Sequence, residues 1–230
     1  MKNRIKVIAF DADDTLWVNE TYFREAEQKF AQLLSQYETE NKIDQELFKL
    51  EIENLSMYGY GVKGFMLSMV ECALQLSNYM VPQKAIAEIL NIGKEMLEKP
   101  IELLDGVEEV LKELQGKYRL IVATKGDLLD QERKLDKSGL LEYFHHIEVM
   151  TEKKASDYLK LVKHLDIESN ELLMIGNSLK SDVLPLIEIG ASAVHVPFHT
   201  TWVHEEVSKQ DAANSDYKTV EKVTDILQFL

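Results

Sequence analysis

Three aspartates and a threonine crowd into five residues directly behind a short, largely apolar run: residues 5–10 read IKVIAF and residues 11–15 read DADDT. Two carboxylates brought to one spot repel each other, and at neutral pH they either hold a proton or recruit a cation. Hard oxygens of this kind suit Mg2+, which keeps several waters and is usually bound through one or two carboxylates plus a substrate phosphate. Residues 5–10 are rich in β-branched and apolar side chains and lack a helical period, so they predict a strand of a parallel sheet buried on both faces. Acids at its carboxyl end then fall in the crevice beyond the strand tips, where open α/β sheets bind ligands. If the extended geometry continues past Phe10, alternation sends Asp11 and Asp13 to one side and Asp14 to the other. The plainer alternative is an acidic turn that ends the strand and caps the next helix.

Other apolar runs end in reactive groups too. Residues 120–123 form a second buried strand that stops at Thr124, Lys125 and Gly126. The Thr124 hydroxyl can donate to a phosphate oxygen, and a turn there can present the amides of Lys125 and Gly126 to an anion. A strand at about 146–150 is followed by two adjacent lysines, Lys153 and Lys154, and a strand at 172–175 by Gly176, Asn177 and, five residues later, Asp182.

In this order the stretches resemble the four motifs of the haloacid dehalogenase-like (HAD) hydrolases. DADDT matches Asp-x-Asp-x-Thr through Asp11, Asp13 and Thr15, and Thr124 matches the second motif, a strand ending in Thr or Ser. The third motif requires a lysine. The usual proline after it is missing and the loop before it is short, so the register rests on position: Lys153 lies nearer the strand end and leaves Lys154 to open the next helix. The fourth motif, usually Gly-Asp-Ser/Thr-x-x-x-Asp, departs from the pattern with Asn177 in place of the first acid. Its amide oxygen remains an acceptable Mg2+ ligand but brings no charge, and weaker metal binding is expected.

What the resemblance implies is two-step phosphoryl transfer. Asp11 would attack a phosphomonoester, and Asp13 would protonate the leaving alcohol and then deprotonate water. Thr15, Thr124, Lys125, Gly126 and Lys153 would hold or neutralise the phosphoryl group. Mg2+ would be the cofactor, with Asp11, Asp13, Asn177 and Asp182 as its ligand set. A dehalogenase of the same fold has no need of Asp13, which favours a phosphatase. A phosphomutase uses the same residues, and a binding protein that has lost turnover is the alternative that Asn177 raises.

These groups need a scaffold to bring them together. At 230 residues the chain is long enough for one well-buried core plus a modest second unit. Strands alternating with helices predict an α/β fold: a Rossmann-like parallel sheet of about five strands, the first of them central, with right-handed crossovers. Between residues 19 and 98 the apolar positions recur every three or four residues, which predicts four helices at about 19–38, 44–57, 64–79 and 82–97. The expected domains are a core of residues 1–17 and 100–230 and an inserted helical-bundle cap of 18–99, which the resemblance implies closes over the site. Within the insert, YGYGVKGF at 58–65 reads as a glycine-rich loop that could carry Lys63 to the substrate's far end.

Composition narrows the partners. A formal net charge of -14 argues against nucleic acid and anionic membrane surfaces and favours a small phosphorylated metabolite. The single cysteine, Cys72, permits no internal disulfide and reads as core packing. The amino-terminal residues contain too few apolar positions for a signal peptide, so the cytoplasm is the expected location. His195, His199 and His204 cluster near Trp202 at a spacing that matches no familiar metal box, and an ordering role for their loop is expected.

Overall fold

The computed structural model describes residues 4–208 and 217–230. Its chain separates into two compact units, one of residues 1–20, 101–125 and 131–230, the other of 21–100 and 126–130.

The first unit is built on a six-stranded parallel sheet in the order β3-β2-β1-β4-β5-β6. Its strands are β1 (Val7–Phe10), β2 (Arg119–Lys125), β3 (Ile147–Met150), β4 (Leu172–Gly176), β5 (Ser192–His195) and β6 (Lys218–Thr219). This is the doubly wound Rossmann-like order, with the first strand central and the chain reversing direction across it. Both faces of the sheet are covered, and strand alternation divides its residues between two apolar clusters. Ile8, Phe10, Leu120, Val122, Leu173 and Ile175 pack with Val107, Val110, Leu111 and Leu114 of helix α5 (Val107–Leu114). Val7, Ala9, Ile121, Ala123, Leu172 and Met174 pack with Tyr158, Leu161 and Val162 of α7 (Ala155–His164) and Leu186 of α8 (Leu184–Glu188). Double-sided burial is why these strands read as continuous apolar runs in the sequence.

Register places the strand tips level with one another. Phe10 pairs with Val122 on one side and Ile175 on the other. Asp11, Thr124 and Asn177 therefore emerge within two residues of a common line.

The second unit contains α1 (Glu20–Leu34), α2 (Glu40–Tyr58), α3 (Val62–Leu76), α4 (Gln83–Glu98) and the start of α6 (Leu128–Lys137). Phe30, Leu34, Ile43, Leu47, Phe65, Met69 and Ile89 form its core. Cys72 is buried in that core, and burial pushes its thiol up to about 12, which fits packing rather than reactivity. No helix among the described residues is long and apolar enough to cross a membrane.

Two expectations change in detail. The sheet has six strands instead of about five, because β6 is an exposed two-residue strand that carries no apolar run. The glycine-rich loop is confined to 59–61: α3 begins at Val62, so Lys63 stands in its first turn. Gly64 lies inside that helix because a Cβ there would sit 2.7 Å from the Gly59 carbonyl oxygen; close approach explains it, not a helix break.

Candidate active site

The chain leaves β1 at Phe10, and the Asp11 amide still donates to Ile175 O at 2.9 Å, which fixes the first acid against β4. It then turns back: Ala12 O accepts from the amides of Thr15 and Leu16, and Asp14 adopts a left-handed φ of 61°. The three acids consequently face three different sets of donors.

Asp11 is buried, and its Oδ1 accepts a 2.6 Å bond from Lys153 Nζ. The same ammonium donates to Asp182 Oδ1 at 2.6 Å, and the Lys153 side chain is only 1% exposed. Burial works against the charge on Lys153, but the two carboxylates overcome it and hold the amine well above its usual range. For Asp11 burial is the dominant influence and pushes its carboxyl up, while Lys153 opposes it. Asp182 also accepts from Ser178 N through Oδ2 at 3.0 Å. A Cβ at Gly176 would stand 2.3 Å from that oxygen, so only glycine lets the Asp182 carboxylate lie against the end of β4. Lys154 is exposed and stands at the amino end of α7. Only the first lysine of the pair reaches Asp11.

Thr15 Oγ1 lies 3.1 Å from Asp11 Oδ2 and 3.3 Å from Asn177 Oδ1. A hydroxyl carries one hydrogen and cannot serve both acceptors at once. Two hard oxygens thus face a single hydroxyl, one of them without a proton. Thr124 is buried at the adjacent tip, its hydroxyl donating to Lys125 O at 3.2 Å. Gly126 follows with φ 125°, a backbone angle that suits glycine.

Asp13 is held elsewhere. Trp17 Nε1 donates to its Oδ1 at 2.7 Å, Lys134 Nζ to the same oxygen at 2.9 Å, and Gln131 Nε2 to its Oδ2 at 2.8 Å. Asp14 accepts from the amides of Asn19 and Glu20 and so caps α1, which makes the plainer reading of the acidic turn right for this one aspartate. Burial pushes its carboxyl up to about 8 against those amides.

Of the four residues expected as metal ligands, Asp13 and Asp182 accept a protein donor at each carboxylate oxygen, and the described residues contain no group of three His, Cys, Asp or Glu side chains placed to hold a metal ion. Asp11 Oδ2 and Asn177 Oδ1 are the pair that share a neighbourhood.

Lys125 turns its ammonium to Glu205 Oε1 at 2.6 Å and Ser181 Oγ at 3.0 Å. Glu205 Oε2 accepts from Ser178 Oγ and Ser181 Oγ, each at 2.5 Å. Burial alone would raise the Glu205 carboxyl, yet the Lys125 ammonium and the two hydroxyls hold it down at about 2. A carboxyl depressed in the folded state stabilises the fold above its unfolded value, near 4.5, and loses that contribution as the pH falls toward 2. Glu205→Gln is therefore expected to cost on the order of 3 kcal/mol at neutral pH. Urea midpoints at pH 7 and pH 3 check it: the gap to wild type narrows at the lower pH, whereas an equal gap at both would contradict the depressed carboxyl.

Lys63 pairs with Asp127 at 2.8 Å within the second unit and keeps 47% of its side chain exposed. At the end of β5, His195 Nε2 donates to Asn177 O at 3.0 Å, and burial pushes the pKa of its ring down against that bond. The His199 ring packs tilted against Phe198 and the His204 ring tilted against Trp202, and Lys180 Nζ donates to His204 O at 2.6 Å. These contacts order the loop.

Trp17, Gln131, Lys134 and Glu205 join the site without belonging to any sequence motif. Gln131 and Lys134 stand three residues apart on one face of α6, and that spacing behind the second strand tip was the available signal.

The order of strands, the level tips and the buried Asp11–Lys153–Asp182 bridge describe a Rossmann-like core that gathers its buried charges at the strand tips. The family model of the haloacid dehalogenase-like hydrolases matches residues 5–190, and the chain belongs to that family. A haloacid dehalogenase-like family hydrolase from Xanthomonas campestris is 36% identical, with a TM-score of 0.81, 91% of this chain and 88% of that one covered. The Bacillus subtilis HAD-hydrolase YfnB, solved bound to magnesium, shares the fold at a TM-score of 0.64 and 18% identity, with 99% of each chain covered. Among curated proteins, the N-acylneuraminate-9-phosphatase of Mus musculus is 24% identical over 214 residues, 88% of this chain and 84% of that protein. The human N-acylneuraminate-9-phosphatase is 23% identical over the same length and shares.

Proposed function

We propose that the protein hydrolyses a small phosphomonoester through an aspartyl-phosphate on Asp11, with Asp13 as general acid and base. The observation that carries this reading is the buried bridge from Lys153 to Asp11 Oδ1 and Asp182 Oδ1. It fixes the Asp11 carboxylate at the strand tip, with Oδ2 facing the Thr15 hydroxyl, as the attacking group. Lys153 supplies a fixed positive charge where negative charge gathers on the phosphoryl oxygens, and Thr124 with the amides that follow it adds donors. Asp13 gives the leaving oxygen its proton and then takes one from the water that attacks phosphorus. A phosphatase is further supported by the resemblance to N-acylneuraminate-9-phosphatases and by Asp13 itself, which a dehalogenase does not require.

Magnesium fits the oxygens present. Asp11 Oδ2 and Asn177 Oδ1 would hold it, since both face one hydroxyl that can satisfy only one of them. Bound there, the cation would neutralise charge on the phosphoryl oxygens. The remaining carboxylates have other tasks: Asp182 anchors Lys153, and Asp13 is held for proton transfer.

The test is phosphate release from para-nitrophenyl phosphate with Mg2+, followed by a screen of phosphorylated metabolites that begins with N-acylneuraminate 9-phosphate. Release that stops with EDTA and returns with Mg2+ supports the reading; metal-independent release contradicts it. Asn177→Asp adds the charge that the family pattern usually carries and is expected to tighten Mg2+ binding roughly tenfold. Calorimetric titration with Mg2+ alone checks this, and an unchanged affinity would show that Asn177 is not a ligand.

A further inference from the structure

The proposed acid and base accepts three side-chain hydrogen bonds, and two of its three anchors lie far from it in sequence. Asp13 Oδ1 accepts two bonds, from Trp17 Nε1 at 2.7 Å and Lys134 Nζ at 2.9 Å, whereas Oδ2 accepts one, from Gln131 Nε2 at 2.8 Å. Lys134 is itself fixed by Asn19 Oδ1 at 2.8 Å, and its side chain is 14% exposed. Gln131 is buried, and its Nε2 shares its two hydrogens between Asp13 Oδ2 and Lys125 O, the latter at 2.9 Å. The Gln131 carboxamide therefore ties the acid to the end of β2, next to Thr124.

We propose that Lys134 is a positioning residue for proton transfer: with Trp17 it locks Asp13 by Oδ1, so that Oδ2 is the oxygen that exchanges the proton. This rests on the reading of Asp13 as general acid and base. An ionised carboxylate oxygen offers two lone-pair sites. Both on Oδ1 are taken by strong donors, one of them charged, and one on Oδ2 stays open. As the bridging P–O bond breaks, its electron pair goes to the leaving oxygen, which takes the proton from Oδ2. In the second half, Oδ2 accepts a proton from water while the water oxygen bonds to phosphorus and the Asp11 carboxylate departs. Lys134 touches neither substrate nor phosphoryl group in this scheme; it acts through the placement of Asp13. Placement matters because proton transfer contributes only when the acid is within hydrogen-bond reach of the leaving oxygen.

A purely structural lysine and a positioning lysine differ in how their loss depends on the leaving group. Para-nitrophenolate departs with little help from an acid, whereas phenolate needs a proton. Phenyl phosphate and para-nitrophenyl phosphate, which share the aryl phosphate frame, are the probes, and the readout is the ratio of their kcat/KM values with Mg2+ present, each variant compared with wild type. Lys134→Met is expected to lower the phenyl to para-nitrophenyl ratio roughly tenfold, and Asp13→Asn to lower it further, since general acid catalysis contributes about 10²-fold or more. Gln131→Met should shift the ratio the same way and serves if Lys134→Met does not fold. An equal fall on both substrates in the Lys134 and Gln131 variants, with the ratio still falling in Asp13→Asn, overturns the positioning role alone. If Asp13→Asn itself leaves the ratio unchanged, the reading of Asp13 as the acid fails as well.

Discussion

Asp11→Asn is expected to lower phosphomonoester turnover by roughly 10⁴-fold or more while leaving the protein folded, because it removes the nucleophile and little else. An asparagine side chain can still accept from Lys153 through its oxygen and donate from its NH2 to the Thr15 hydroxyl, so both partners that Asp11 has now keep a hydrogen bond. The substitution also relieves a buried negative charge whose pKa burial pushes up. Thermal unfolding followed by circular dichroism should therefore show a midpoint no lower than wild type, alongside the lost activity. Retained turnover would place the nucleophile elsewhere, and a collapsed midpoint would make Asp11 a structural ion-pair member first.

Lys153→Met has a different signature, a large loss of both activity and stability. The ammonium is the shared partner of two buried carboxylates, each at 2.6 Å. Removing one member of a buried ion cluster leaves uncompensated charge and costs about 3–5 kcal/mol. For a chain of this size that corresponds to a midpoint lower by roughly 10 °C. Pairing it with Asp182→Asn tests the cause. If charge stranded by the missing lysine produces the loss, the double variant is more stable than the sum of the single effects predicts, because a neutral amide at position 182 no longer needs the cation. Strictly additive losses would mean that the bridge is not what Lys153 contributes.

The central strands β1, β2 and β4 were legible because burial on both faces writes each around an apolar run, and the motif residues Asp11, Thr124 and Asn177 follow those runs closely. β6 was not, since Lys218 and Thr219 are exposed and carry no pattern. The positions of Asp11, Thr124 and Asn177 could be anticipated from local sequence because each strand carries its own tip residue, and parallel register does the rest. Asp13 could not. Alternation assumes an extended chain, but β1 ends at Phe10 and the Ala12 turn redirects the backbone, so Asp13 meets Lys134 instead of sharing donors with Asp11. Lys134 and Gln131 lie in LLDQERKLDK, a polar helix whose charges read as a solvated face until tertiary packing shows which side is covered. Glu205 was hidden for a related reason: its partners Lys125, Ser178 and Ser181 come from segments far from it in sequence.

The same long-range contacts fall into two sets: Lys153, Asp182 and Gly176 fix where Asp11 stands, and Trp17, Gln131 and Lys134 fix where Asp13 stands. The two sets are independent in their hydrogen bonds, so defects in one should leave the geometry of the other intact.

Covalent capture at Asp11 tests the central claim most directly. Enzyme turning over a phosphomonoester with Mg2+ is quenched, treated with borohydride and digested, and the peptide spanning the end of β1 is sequenced by mass spectrometry. Reduction of an acyl phosphate is predicted at Asp11 alone, so that homoserine appears at that position and only when substrate is present. Active turnover with Asp11 unmodified, or modification at Asp13 or Asp182 instead, would contradict it.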